Sequence, residues 1–173
     1  MKMVKVLLII AQRGFRDEEL FDTKTALEKE DIEVEVASIT TEIAKGKMGG
    51  SYKPDIAVKD ADADDYEYIV LIGGPGAPAL GRYGEVMDII KKAKHVAAIC
   101  IAPTILAKAG LLIRRRATVW ESEESVRILE ENGAEYTGED VTIDDDMITG
   151  NGPKAAKKFG EAIARKVKES EKD

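Results

Sequence analysis

Runs of Val, Ile and Leu recur along this chain and largely dictate its fold. They are Val4-Lys5-Val6-Leu7-Leu8-Ile9-Ile10, Val34-Glu35-Val36-Ala37, Tyr68-Ile69-Val70-Leu71-Ile72, Val96-Ala97-Ala98-Ile99-Cys100 and Ala117-Thr118-Val119-Trp120. Runs this apolar read as strands buried on both faces rather than as half-exposed ones. Amphipathic patterns separate them, near Glu18–Glu30, Glu85–Ala93, Ala102–Ala109 and Ser122–Asn132. A last helix is expected from about Pro153 to Ser170, since proline at a first helical turn costs no hydrogen bond. Strand alternating with helix predicts an α/β class with a mainly parallel sheet covered on both faces. Ile43–Val58, with Gly46, Gly49, Gly50 and Pro54, lacks helical periodicity and reads as a small β excursion. Val141–Thr149 reads as two short strands turning at Asp144-Asp145-Asp146.

The 173 residues suit one domain, taken as 1–173, and 44% hydrophobic residues suffice for its core. A net charge of -7 argues against a nucleic-acid partner, which would need a basic face. The one basic run, Arg114-Arg115-Arg116, reads as a solvated turn. The first apolar run is too short to cross a membrane, and no small-residue cleavage site follows it. A single cysteine allows no internal disulfide and fits a reducing, cytoplasmic location. One Cys and one His give no metal site by spacing, so no metal or other cofactor is expected. The acidic clusters Asp62-Ala63-Asp64-Asp65 and Asp144-Asp145-Asp146 are expected to cap helices and shape turns.

Ligands of open α/β sheets bind at the carboxyl ends of the strands. Three segments should lie there: Gly14–Leu20, Gly73-Gly74-Pro75-Gly76 and Cys100-Ile101-Ala102-Pro103. Cys100 sits where a buried strand turns into a helix. Helix amides and the helix dipole there favour thiolate, which predicts a depressed pKa. The alternative is a small buried core residue. Gly73 and Gly74 permit a close backbone approach and outward amides, which suits an oxyanion hole. No Gly-Lys-Ser/Thr follows, so this is not a phosphate loop. Glu18 and Glu19 begin the first helix, where carboxylates are favoured electrostatically. One of them could instead face the crevice and hydrogen-bond the sulfur, with a raised pKa.

Taken together, Ala98-Ile99-Cys100-Ile101-Ala102-Pro103, Ile72-Gly73-Gly74 and Asp17-Glu18-Glu19-Leu20 make the chain resemble the ThiJ/PfpI superfamily. That superfamily includes the Parkinson-associated deglycase and the PfpI intracellular proteases. The resemblance implies a flavodoxin-like three-layer sandwich, a nucleophile elbow and a homodimer or larger homo-oligomer. It implies Cys100 as nucleophile and Glu19 as the buried carboxyl beside it, with Glu18 as the fallback one residue away. Gly73 or Gly74, with the amide of Ile101, would bind the oxyanion. Trp120 and Asn151 would line the pocket.

Three family features are missing, one of them an arginine near the final helix, where this chain has Asn151. The protease-like branch has histidine directly after the cysteine, where this chain has Ile101. Members of the deglycase branch often have histidine where Trp120 stands. The only histidine, His95, lies five residues before Cys100, roughly 17 Å along an extended strand, and is expected on the surface at the far end of the sheet. No Cys-His dyad can form within one subunit, so the usual base for a thiol is absent. Three functions remain: an enzyme acting on a small electrophile such as an α-oxoaldehyde, a peroxide-oxidised sensor or binding protein, and a PfpI-type peptidase.

Overall fold

The structure is a computed structural model and describes residues 4–171. The ends of the expected domain, 1–3 and 172–173, lie outside the described residues. The chain opens with β1 (Lys5–Ile9), β2 (Arg13–Phe15) and α1 (Asp17–Glu28), followed by β3 (Glu33–Ser38). Short strands β4 (Ala44–Gly46), β5 (Ser51–Tyr52) and β6 (Ile56–Ala57) come next, then β7 (Tyr68–Leu71), α2 (Gly84–Lys92) and β8 (Val96–Ile99). After α3 (Pro103–Lys108) follow β9 (Arg116–Ala117), α4 (Glu123–Glu131) and β10 (Glu135–Tyr136). The hairpin β11 (Val141–Asp144) and β12 (Met147–Gly150) leads to α5 (Ala156–Glu171).

Seven strands form the central sheet in the order β11-β12-β8-β7-β1-β3-β6. Only the β11–β12 pair is antiparallel. Apolar side chains leave both faces of each inner strand. Val6, Leu8 and Ile10 pack with Leu20 and Leu27 of α1 and Phe159 and Ile163 of α5. Leu7 and Ile9 pack on the other face with Ile89 and Ile90 of α2, Leu106 of α3 and Leu129 of α4. The result is helix, sheet, helix: the expected three-layer sandwich. Onward connections from β1 and β7 leave toward opposite edges of the sheet. Neighbouring strands that part in this way open a crevice at their carboxyl ends.

The fifth apolar run departs from expectation. Instead of a central strand it gives β9, which pairs with β10 outside the main sheet. Polar bonding accounts for this. The Thr118 amide donates to Thr149 Oγ1 at 3.0 Å, and the Thr118 hydroxyl donates to the Glu139 carbonyl. Side-chain bonds of this kind compete with a sheet ladder. The place beside β8 goes to β12, whose four residues are all buried. The late hairpin forms as expected, with Asp145 at φ 52° in its turn. In the β excursion, β4 and β5 join β2 as a separate three-stranded sheet. No helix among the described residues is long and apolar enough to cross a membrane.

Candidate active site

Cys100 follows β8 directly and takes φ 66°, a left-handed conformation that few non-glycine residues adopt. Two backbone bonds hold it there. Its amide donates to the Gly150 carbonyl at 2.9 Å, and its carbonyl accepts from the Trp120 amide at 2.8 Å. The sharp turn is completed by the Ala102 amide donating to the Ile99 carbonyl at 3.1 Å. Neighbouring segments therefore over-determine a turn that would cost about 1–3 kcal/mol alone.

Of the two candidate glutamates, Glu19 enters the site. It is fully buried, and its Oε1 accepts from the Gly73 amide at 2.9 Å. Its Oε2 is buried with no hydrogen-bond partner among the described residues, and the Cys100 thiol lies beside the carboxyl group. Glu18 turns outward, where its Oε2 accepts from Arg16 Nε at 2.9 Å and Nη2 at 2.7 Å. Leu20, fully buried on the core side, fixes this register.

Gly73 has a different role from the one expected. Its amide is committed to Glu19 and is not free to bind an oxyanion. What makes glycine necessary here is space. A Cβ on Gly73 would lie 2.5 Å from Cys100 Cβ, 2.5 Å from Glu19 Oε1 and 2.7 Å from the Ile99 carbonyl. The amides that face the sulfur are those of Gly74 and Ile101. Gly74 has φ 109°, and a Cβ there would strike the Arg16 amide nitrogen and the Gly14 carbonyl.

The thiol's ionisation also differs from expectation. Burial pushes Cys100 up to about 12, and the neighbouring Glu19 charge adds to the rise. The Gly74 and Ile101 amides pull the other way without overcoming it. The following helix, α3, is only six residues long and starts three residues later, so its dipole contributes little. Burial likewise pushes the Glu19 carboxyl up to about 7, against hydrogen bonds from the Cys100 thiol and the Gly73 amide. The two groups act as a dyad that loses one proton near neutrality and the second only in strong alkali. Over that span the remaining proton rests on sulfur, and moving it to the carboxyl is the step that activates Cys100. Placing it on Glu19 leaves a thiolate opposite two amide donors and a carboxylic acid beside it.

The remaining predicted residues stand around this pair. Trp120 is 46% exposed and lies over Gly152, while its backbone anchors Cys100. Asn151 is committed elsewhere, its Nδ2 donating to Asp140 Oδ1 at 3.3 Å. His95 is at the opposite end of β8, as expected. It is half-buried rather than a surface loop residue, with its ring centroid 5.2 Å from that of Tyr68. Among the described residues no three His, Cys, Asp or Glu side chains converge on a possible metal position. Two surface grooves, of about 560 and 580 Å³, contain neither Cys100 nor Glu19. Sequence reasoning overlooked Arg16, whose guanidinium feels the charge of the dyad. The available signal was a cation one residue ahead of the acidic run Asp17-Glu18-Glu19.

Comparison with known proteins agrees with this architecture. A deglycase of Thermococcus kodakarensis is 35% identical over 85% of this chain and 90% of its own. A glutathione-independent glyoxalase of Caenorhabditis elegans is 28% identical over 96% of this chain and 90% of its own. The crystal structure of a ThiJ/PfpI domain protein from Brachyspira murdochii superposes with a TM-score of 0.91 at 25% identity, covering 98% of this chain and 99% of that one. The family pattern itself matches residues 4–166, and the chain belongs to the DJ-1/PfpI family.

Proposed function

We propose that this protein acts on small reactive aldehydes, or on the adducts they leave on other molecules, through Cys100. The observation that carries the reading is the dyad: a fully buried carboxyl with one unpartnered oxygen, beside a sulfur that two backbone amides face. With that proton on Glu19, the Cys100 thiolate adds to an aldehyde carbon. The carbonyl π pair moves to oxygen, where the amides of Gly74 and Ile101 hold it. Glu19 then gives that oxygen its proton. Addition to an aldehyde expels no amine, so no histidine is required. The glyoxalase and deglycase relatives support this class of chemistry.

The test is methylglyoxal consumption and lactate formation by purified protein. We expect turnover that Cys100→Ser abolishes. Turnover retained in Cys100→Ser would remove the sulfur from the reaction. Peptidase activity should be absent or very weak, because Ile101 occupies the position of the histidine that would protonate a leaving amine.

One observation favours a second reading, a non-catalytic peroxide sensor. The same two amides and Glu19 stand beside the sulfur and supply hydrogen-bonding groups that a sulfinate would need. Two peroxide molecules would convert the thiol to sulfinate with release of two waters. A stable gain of two oxygens by intact mass, without aldehyde turnover, would select this reading. Under either reading we place the protein in the reducing cytosol as a homo-oligomer. Exposed Phe21, Ile43 and Met48 supply apolar surface for self-association. Sedimentation showing only monomer at micromolar concentration would refute the oligomer.

A further inference from the structure

Arg16 bridges the glycine turn and the mouth of the cysteine site. Its backbone amide donates to the Gly73 carbonyl at 2.9 Å and occupies the space that a Gly74 side chain would need. Arg16 therefore hangs on the turn whose next amide faces the Cys100 sulfur. Its side chain is 28% exposed, and Glu18 fixes its direction. That pairing engages Nε and Nη2 with a single carboxylate oxygen, Glu18 Oε2. Among the described hydrogen bonds, Nη1 has no acceptor. A guanidinium carries five donors in a planar fork, so Glu18 orients this one without exhausting it. The site also holds a second unmatched group: the buried, unpartnered Oε2 of Glu19. Neither Glu19 nor Cys100 has an ion-pair partner among the described residues, and Arg16 is the cation whose amide bonds Gly73, the residue lodged between them.

We propose that Arg16 is the anion-recognising residue of this site, selecting small electrophiles that carry a carboxylate next to the carbon Cys100 attacks. The substrate rests on the aldehyde reading above: glyoxylate, the 2-oxo acid whose carbonyl is an aldehyde. The Arg16 fork holds the carboxylate in charge-assisted hydrogen bonds, which are about twice as strong as neutral ones. The adjacent carbonyl then lies over the sulfur. The S–C bond forms, the π pair moves to oxygen, and the proton of Glu19 completes a hemithioacetal. Arg16 makes no bond to the reacting carbon and acts by position.

Alkylation of Cys100 by iodoacetate and by iodoacetamide separates this role from the rest of the chemistry. In both reactions the thiolate forms an S–C bond and iodide leaves. The reagents differ in a carboxylate beside the reacting carbon. Altered thiol ionisation changes both rates together, so the ratio of iodoacetate to iodoacetamide rate reports anion recognition alone. Arg16→Gln should lower that ratio about tenfold, the size of losing one hydrogen bond to a charged group. Arg16→Lys, which keeps the charge without the fork, should lie between. Ratios equal to wild type in both variants, or a Cys100 that neither reagent labels, would overturn the proposal. If the ratio falls while no aldehyde is turned over, the aldehyde reading is lost and the anion site stands. If aldehyde is turned over and the ratio does not move, only the Arg16 proposal is lost.

Discussion

At the carboxyl end of the central sheet Glu19 is fully buried and makes no ion pair among the described residues; at the amino end Glu67 meets Lys94 and His95. Lys94 Nζ is 3.1 Å from Glu67 Oε2, and His95 Nε2 is 3.9 Å from Oε1. His95 Nδ1 also lies 3.5 Å from Asp146, and the Tyr68 hydroxyl donates to the Asp146 carbonyl at 2.7 Å. Each end thus pairs a carboxylate with a titratable group next to a β8 terminus. Glu67 Oε1 is also buried without a hydrogen bond, but Glu67 has Lys94 beside it, and ion pairs at strand ends contribute little energy individually. A dry carboxyl without a cation is held in the fold at a cost and changes its protonation instead. The proposed chemistry draws on the second arrangement.

The sharpest way to break this contrast is Gly73→Ala. The new Cβ would sit 2.5 Å from Cys100 Cβ and 2.7 Å from the Ile99 carbonyl, and neither neighbour is a flexible side-chain end. Overpacking of this kind costs about 1–3 kcal/mol, and here the upper end is expected because backbone must move. We expect a lower melting temperature together with loss of Cys100 alkylation at its wild-type rate. A variant with unchanged melting and alkylation would show that the site has slack the structure does not display.

Glu19→Gln sharpens the contrast through pH. The folded carboxyl keeps its proton up to about pH 7, against an ordinary value of 4.5. Between those values the folded state binds more protons than the unfolded one, so stability falls as pH rises through the window. Glutamine cannot ionise, so the variant should lose that slope. Above pH 7 it should be more stable than wild type by about 3 kcal/mol, an order-of-magnitude conversion of the shift. Urea titrations at several pH values between 4 and 8 would measure this. Equal destabilisation at every pH would mean that burial does not penalise the carboxylate.

How far the sequence carries the site depends on which force decides each residue. Periodicity located β1, β3, β7, β8 and the late hairpin, because Val and Ile runs buried on both faces have no other use in a chain of this length. The choice of Glu19 over Glu18 came from the family resemblance, and the buried Leu20 next to it agrees. The fifth run failed because Thr118 finds its partners, Thr149 and Glu139, in distant segments. The thiol's ionisation failed for a related reason. Local position argued for a helix dipole, whereas burial by the surrounding core and the charge of Glu19 are set by packing that no window of sequence contains. Arg16 was overlooked because its role arises from the Gly73 carbonyl, fifty-odd residues away.

The smallest effect is expected at the other end, from His95→Gln. Its contacts with Asp146 and Glu67 are 3.5 and 3.9 Å long, and the Asp146 side chain is about half exposed. Pairs of that kind contribute about 0–1 kcal/mol. The Tyr68 hydroxyl keeps its bond to the Asp146 carbonyl without the imidazole. Four strand residues, Val96–Ile99, separate His95 from Cys100, about 17 Å of extended chain from one to the other, and every one of them is buried in apolar packing. Neither charge nor a hydrogen-bond chain links the two ends. Melting should therefore shift by a few degrees at most, and the rate of Cys100 alkylation should stay within twofold of wild type. A larger change in that rate would mean that β8 transmits strain from its first residue to the left-handed turn after its last, and the two ends of the sheet would have to be treated as one coupled unit.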